Sequence, residues 1–445
     1  MYIPSLVPYL AIPAPTQPAA SSASAPAIVP VPSDCPSTNV DVPAALPAVG
    51  GYDVGVYYTN WAMFGRQHFV TDLPADKLTR INYAFANVNS TTGEVYLTDE
   101  WADLQYPYPG DVATNGTELF GNFGQLYKLK QEHRNLKTIL TVGGWSYREN
   151  FKTGLATSDN RRRFAESFQG LVADLGLDGI DISWQYPEDD TDAATIIDTV
   201  KLCREALDAY SAEYADGYHF DIVISSPAGP IRYNAMPVAE LDQYVDVWSL
   251  MSYDYMSPGF SNFTGHLSNV YPSTTNNITT DFNTEQAVEH YLANIADPSK
   301  LILGLPVYGR SYANTTGIGK TFSGPGAGSW ETGVLDYKVL PLTSVNTTTV
   351  HTDYEVIGSW SFDSATGQFV SYDTPEVQTL KAKYLQSKNL GGAVWWDSSS
   401  DRTDENSLVT TVSNALGGVA AVSQAQNNLY YPNSKYDNIR IAATA

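Results

Sequence analysis

Cysteine is nearly missing from this sequence: Cys35 and Cys203 are the only two. So few thiols can build neither a thiolate metal site nor a disulfide framework. Basic charge is scarce as well, with 25 Lys and Arg against 48 Asp and Glu, and no basic cluster interrupts the net charge of -23. A surface of that sign repels phosphate backbones, which excludes nucleic-acid binding. Charged residues of both signs reach only 16%, below the usual share of about 25%. His68, His133, His219, His266, His290 and His351 are scattered with no pair at ligand spacing, so no metal and no other cofactor is expected. There is no Gly-x-Ser-x-Gly elbow. No apolar run is long enough to span a membrane. The opening MYIPSLVPYLAI is apolar but carries two prolines and no charged flank, leaving room for a signal peptide already removed.

Neutral polar and aromatic residues fill the space that charge leaves, with 30 Tyr and 9 Trp. Asn-x-Ser/Thr sequons begin at Asn89, Asn115, Asn262, Asn277, Asn314 and Asn346, each in a Ser/Thr/Asn/Gly-rich stretch that reads as surface loop. They are the expected glycosylation sites of a secreted, extracellular protein. Residues 1–48 are dominated by Pro, Ala and Ser, a composition that buries too little apolar surface to offset the entropy of ordering, and they read as a tail or linker.

From Gly51 the texture changes to short β-branched or aromatic runs separated by stretches with helical spacing. The runs are Asp53–Tyr58, Arg80–Ala86, Lys137–Gly143, Leu177–Trp184, His219–Ser226, Val245–Tyr253, Leu301–Val307 and Gly391–Trp396. Between them, apolar residues recur every three or four positions over 160–175, 192–213, 285–296 and 375–387. Strands alternating with helices imply a parallel sheet, and eight such units fit a closed barrel better than an open doubly wound sheet. The expected fold class is α/β, a (β/α)8 TIM barrel with an α+β insertion domain after the seventh strand. The barrel is assigned to 49–311 and 372–417, the insertion to 312–371 and a C-terminal tail to 418–445. Chemistry in such barrels sits at the carboxyl ends of the strands.

The fourth run ends in Asp178-Gly-Ile-Asp-Ile-Ser-Trp-Gln-Tyr-Pro187. The strand period of two aims Asp181, Ser183 and Gln185 into the barrel and Ile180, Ile182 and Trp184 at the helices. This segment resembles the family 18 glycoside hydrolases, the chitinases, whose fourth strand reads D-G-x-D-x-D-W-E-Y-P. The resemblance runs from about Gly51 to Gly417. It rests on ordered matches at Tyr57-Tyr-Thr-Asn-Trp61, Ile81-Asn-Tyr-Ala-Phe85, Thr141-Val-Gly-Gly-Trp145, Ser226-Pro-Ala-Gly-Pro230, Met251-Ser-Tyr-Asp254, Gly304-Leu-Pro-Val-Tyr-Gly-Arg310 and Gly391-Gly-Ala-Val-Trp-Trp396. The C-terminal stretch 426–440 is similar to the tails of some fungal members, which suggests a fungal source.

The resemblance implies a substrate-assisted mechanism, in which a Glu protonates the glycosidic oxygen while the sugar's N-acetyl carbonyl attacks the anomeric carbon. Gln185 stands at the Glu position and Ser183 at the position of the Asp that orients the acetamido group. A carboxamide has no proton to give near neutral pH, and a serine supplies no charge to a developing cation. By the same resemblance, Trp396 forms the floor under the sugar at the cleavage subsite and Trp145 stacks on the next sugar. Tyr253 and Asp254 bind the N-acetyl group, Met251 lines the acetyl methyl pocket, and Tyr57, Phe85, Tyr308 and Arg310 line the cleft. Trp61, Trp184, Trp248 and Trp395 are assigned to packing or the rim.

The resulting expectation is a monomeric, secreted chitinase-like lectin. It would bind chitin or N-acetylglucosamine oligomers without hydrolysing them, sequestering chitin fragments from immune receptors. Its partners would include no nucleic acid and no membrane. The alternatives are a slow chitinase using a non-standard acid such as Glu188, which with Asp189 and Asp190 follows Pro187 in a run that otherwise reads as solvated charge, and an interaction scaffold without sugar affinity.

Overall fold

Strands rich in Val, Ile and Leu, with both faces covered, pair in parallel and close into a cylinder. The computed structural model describes residues 50–113, 117–342 and 347–440. The tail up to residue 48, Cys35 and the sequons at Asn115 and Asn346 lie outside the described residues. In chain order the strands are β1 (Asp53–Thr59), β2 (Arg80–Val88), β3 (Val95–Leu97), β4 (Lys137–Gly143), β5 (Gly179–Ser183), β6 (Asp221–Pro227), β7 (Val247–Met251), β8 (Leu301–Pro306), β9 (Tyr308–Tyr312), β10 (Val334–Asp336), β11 (Thr348–Asp353), β12 (Gly358–Asp363), β13 (Gln368–Ser371) and β14 (Gly392–Trp396).

The barrel order is β1-β14-β8-β7-β6-β5-β4-β2, and β1 also pairs with β2, which removes the free edges. β3 adds antiparallel to β2. Period-two alternation divides the apolar residues into two cores. Tyr57, Ala84, Ile139, Val223, Val247, Ile302 and Val394 fill the barrel interior. The opposite strand faces, including Tyr58, Ile180, Ile182 and Trp184, join the larger core under the helices.

The helices start and stop where local chemistry dictates. Ser158–Leu175 opens on Thr157, whose hydroxyl accepts the Asn160 N–H, and closes on Gly176 at φ 69°, a left-handed conformation that glycine adopts without a Cβ penalty. Pro375–Ser387 opens on Thr374 with proline at its first position. The helix expected over 285–296 ends earlier, as Thr284–Leu292, and the 192–213 helix extends to Asp190–Tyr214. The inserted region forms a separate antiparallel sheet in the order β10-β9-β13-β12-β11. Its strand β9 takes in Tyr308–Ser311, residues that the sequence reading left with the barrel.

The C-terminal segment ties down the end of the barrel opposite the strand C-termini. Asn427 Nδ2 donates to the carbonyls of Lys130, His133 and Leu136 at 3.0, 3.1 and 2.7 Å. Asn428 N–H donates to Asp178 Oδ1 at 2.9 Å, and the Tyr431 hydroxyl donates to the Leu177 carbonyl at 2.7 Å. Beneath them Lys130 and Asp178 form an ion pair at 2.8 Å with both side chains fully buried. No helix among the described residues is long and apolar enough to cross a membrane.

Candidate active site

β5 delivers its polar track to the barrel mouth. Asp181, the deepest of the three, is fully buried. Its Oδ2 accepts from the Tyr57 hydroxyl at 2.9 Å, from Thr141 at 3.1 Å and from Ser225 at 3.0 Å, and the Ser225 hydroxyl also reaches Oδ1 at 3.0 Å. Burial pushes the Asp181 carboxyl up to about 6, and the hydrogen bonds from Tyr57, Ser225 and Thr141 oppose that rise. Above Asp181 lies Ser183, also buried. Gln185 Nε2 donates to Ser183 Oγ at 3.1 Å and approaches Met251 Sδ at 3.5 Å. Ser183, Gln185 and Met251 therefore meet in one place, at the next same-face position of the strand above Asp181.

A raised carboxyl makes stability depend on pH in a definite direction. Between about pH 6 and its ordinary value of 3.8, the folded chain holds a proton that the unfolded chain has released, so this group stabilises the fold as the pH falls. Relative to Asp181→Asn, the unaltered protein should gain stability as the pH is lowered from about 6 to about 4. Urea-unfolding midpoints of the two proteins across that window measure it, and a constant difference would refute the assignment.

Aromatic rings pave the mouth beside this track. Tyr57 and Trp396 have ring centroids 5.3 Å apart, Phe85 stacks against Trp396 at 5.6 Å, and Trp61 follows Phe85 at 6.1 Å. Flat apolar faces of this kind pack against the C–H faces of pyranose rings. Trp184, Trp248 and Trp395 are buried in the core, as parity requires, whereas Trp61 is 44% exposed beside the mouth. Of the two places the sequence allows it, packing or the rim, Trp61 takes the rim, because it lies past the end of β1, where strand parity no longer applies. Trp145 is 62% exposed, and the Arg148 guanidinium lies 3.9 Å from its ring.

The remaining residues come from the segment just after β7 and from β9. Arg310 grips Asp254 with two charge-assisted hydrogen bonds at 2.8 and 2.7 Å and lies 5.4 Å from the Tyr308 ring. Tyr253 meets Tyr308 edge-on at 6.2 Å, and burial pushes the hydroxyl pKa of both tyrosines well up. Among the acids after Pro187, Asp189 caps the helix Asp190–Tyr214 by accepting the Asp192 N–H at 2.9 Å. Glu188 is 58% exposed and pairs with Arg232 at 2.7 Å. Arg232 in turn lies 5.6 Å from the ring of Tyr186, the neighbour of Gln185. No group of His, Cys, Asp and Glu suited to a metal ion occurs among the described residues.

A closed parallel barrel with an added sheet and a mouth paved with aromatic rings is an architecture suited to carbohydrate-active proteins. Residues 53–401 match glycosyl hydrolases family 18, and the chain belongs to that family. It is 44% identical to Endochitinase 1 of Metarhizium robertsii over 392 residues, which cover 88% of this chain and 91% of that protein. It is 41% identical to Chitinase 1 of Aphanocladium album over 391 residues, covering 88% and 90%. Among solved structures, the catalytic domain of psychrophilic chitinase B from Arthrobacter TAD20 superposes with a TM-score of 0.77 at 28% identity, covering 85% of this chain and 99% of that one.

These relatives correct the expectation of a lectin that binds without hydrolysing. Fungal proteins 41–44% identical over 88% of the chain are named chitinase and endochitinase, which aligns the chain with hydrolases. The error was to infer the fate of the whole reaction from Ser183 and Gln185. In the scheme that the resemblance supplied, the nucleophile belongs to the substrate, and a proton donor has to be near the leaving oxygen without having to be residue 185.

Proposed function

We propose that the protein is a secreted chitin-hydrolysing enzyme of family 18 with slow turnover, drawing its leaving-group proton from a carboxyl other than residue 185. The observation that carries this reading is the joint placement of the ring series Tyr57–Trp396–Phe85 and the Asp254–Arg310 pair around the end of β5. Rings and fixed hydrogen-bonding groups together suit an N-acetylated sugar chain, since each apolar sugar face needs a flat partner and each acetamido group needs a polar one. Sequons and the abundance of neutral polar residues support export.

Glu188 is the candidate donor. It follows Gln185 by three residues, is open to solvent, and is held by Arg232 close to Tyr186. Release of reducing ends from a chitin oligosaccharide tests the reading. The unaltered protein should release them slowly, and Glu188→Gln should lower the rate about 10²-fold, the smaller end of what general-acid catalysis supplies. Equal rates in the two proteins would remove Glu188 from the role, and no release by the unaltered protein would overturn the function.

A further inference from the structure

A second cavity, of about 630 Å³, lies apart from the residues of the cleft, between the segment that follows β1, the segment that follows β14, and Lys338 of the inserted region. Its volume is within the range of small-molecule sites, about 300–1,000 Å³. Four of the chain's 25 cationic side chains, Arg66, Lys77, Lys338 and Arg402, line it. In a protein carrying a charge of -23, that convergence runs against the general field.

The partners of these cations leave part of their charge uncompensated. Lys77 Nζ has one partner among the described residues, the neutral hydroxyl of Thr410 at 3.0 Å. Arg402 donates to the Leu340 carbonyl at 2.6 Å and has Asp404 at 3.6 Å, while its buried Nε–H has no acceptor among the described residues. Lys338 donates to the Ser399 carbonyl at 2.7 Å, with Asp336 at 3.6 Å. Only Arg66 has a close carboxylate, Asp336 at 2.8 Å.

The acids that line the cavity are engaged by their own loops. Asp72 accepts the Phe69 N–H, Asp401 accepts from the Ser407 hydroxyl and the Leu408 and Val409 amides, and Asp404 accepts the Asn406 N–H. His68 contacts Ser398 at 3.1 Å, and burial holds its pKa down to about 4, so it is a neutral wall. An anion entering the cavity would give Lys77 the charged acceptor that it lacks, and such bonds are about twice as strong as neutral ones.

We propose that this cavity binds a small polyhydroxylated anion, a sugar-sized molecule bearing a carboxylate or phosphate group. Lys77 and Arg402 take the charge, and the hydroxyls of Ser398, Thr403 and Thr410 serve the neutral part. The site does not depend on the hydrolytic reading of the cleft.

Calorimetric titration and ligand-dependent melting of the full chain with glucose 6-phosphate, with gluconate and with neutral glucose test it. At least one of the two anions should bind saturably while glucose does not, and Lys77→Met should weaken that binding about tenfold or more, as expected for loss of a hydrogen bond between charged groups. Which anion binds distinguishes phosphate from carboxylate. The proposal is overturned if neither anion binds, if glucose binds as well as the anions, or if Lys77→Met binds with unchanged affinity. Melting without ligand establishes that the variant folds. Should it not, Arg402→Gln is held to the same criterion.

Discussion

Restoring both carboxylates, Ser183→Asp together with Gln185→Glu, should raise turnover of a chitin oligosaccharide by about 10²–10⁴-fold over the unaltered protein, the contribution of a well-placed general acid. The surrounding geometry is ready for the change. Gln185 already points its terminal group at Ser183 and Met251, and a glutamate has the same shape. A carboxyl at 183 would face the one at 185, and two carboxyls in one site share a proton because both cannot ionise cheaply. That pairing is what raises an acid's pKa toward working pH. Ser183→Asp alone supplies the charge without the donor and should gain less than the pair. Reducing-end release by the three proteins decides the matter, and a double variant no faster than the unaltered chain would mean that proton delivery at residue 185 does not limit the reaction.

Asp178→Ala should cost about 3–5 kcal/mol of stability, the loss typical when one partner of a buried ion pair is removed. Asp178 holds four groups together: Lys130 at 2.8 Å, the Thr138 N–H at 2.8 Å, the Tyr218 hydroxyl at 3.1 Å and the Asn428 N–H at 2.9 Å. Its removal strands a fully buried ammonium and unfastens the C-terminal segment at once. Burial already lowers the Lys130 pKa to about 8 even with Asp178 opposing it. Asp178→Asn with Lys130→Met removes both charges and should recover part of the loss. Denaturant midpoints give the comparison, and an Asp178→Ala protein within about 1 kcal/mol of the original would show that solvent reaches this pair.

Much of the fold was legible because period and position carry it. The track Asp181, Ser183, Gln185 and its counterpart Ile180, Ile182, Trp184 could be assigned to opposite faces by parity alone, and the two cores follow that division. Trp61 was legible only as packing or rim, since it stands beyond the strand. Arg148 on Trp145 was not legible, a contact made by a turn whose conformation the sequence does not display. The anion cavity unites residues 66–77 with residues 398–410, and nothing in either stretch announces the other. The functional error had a different origin: two side chains were read as deciding a reaction that depends on many, and identity of 41–44% over 88% of the chain to named chitinases outweighs them.

Tyr57 belongs to two worlds at once. Its ring abuts Trp396 at the barrel mouth, and its oxygen donates to the buried Asp181 carboxyl below. The aromatic paving of the mouth and the hydrogen bonding of the inner carboxyl are consequently wired through a single phenol, so an engineer who replaces this residue to reshape the mouth also alters the surroundings of Asp181.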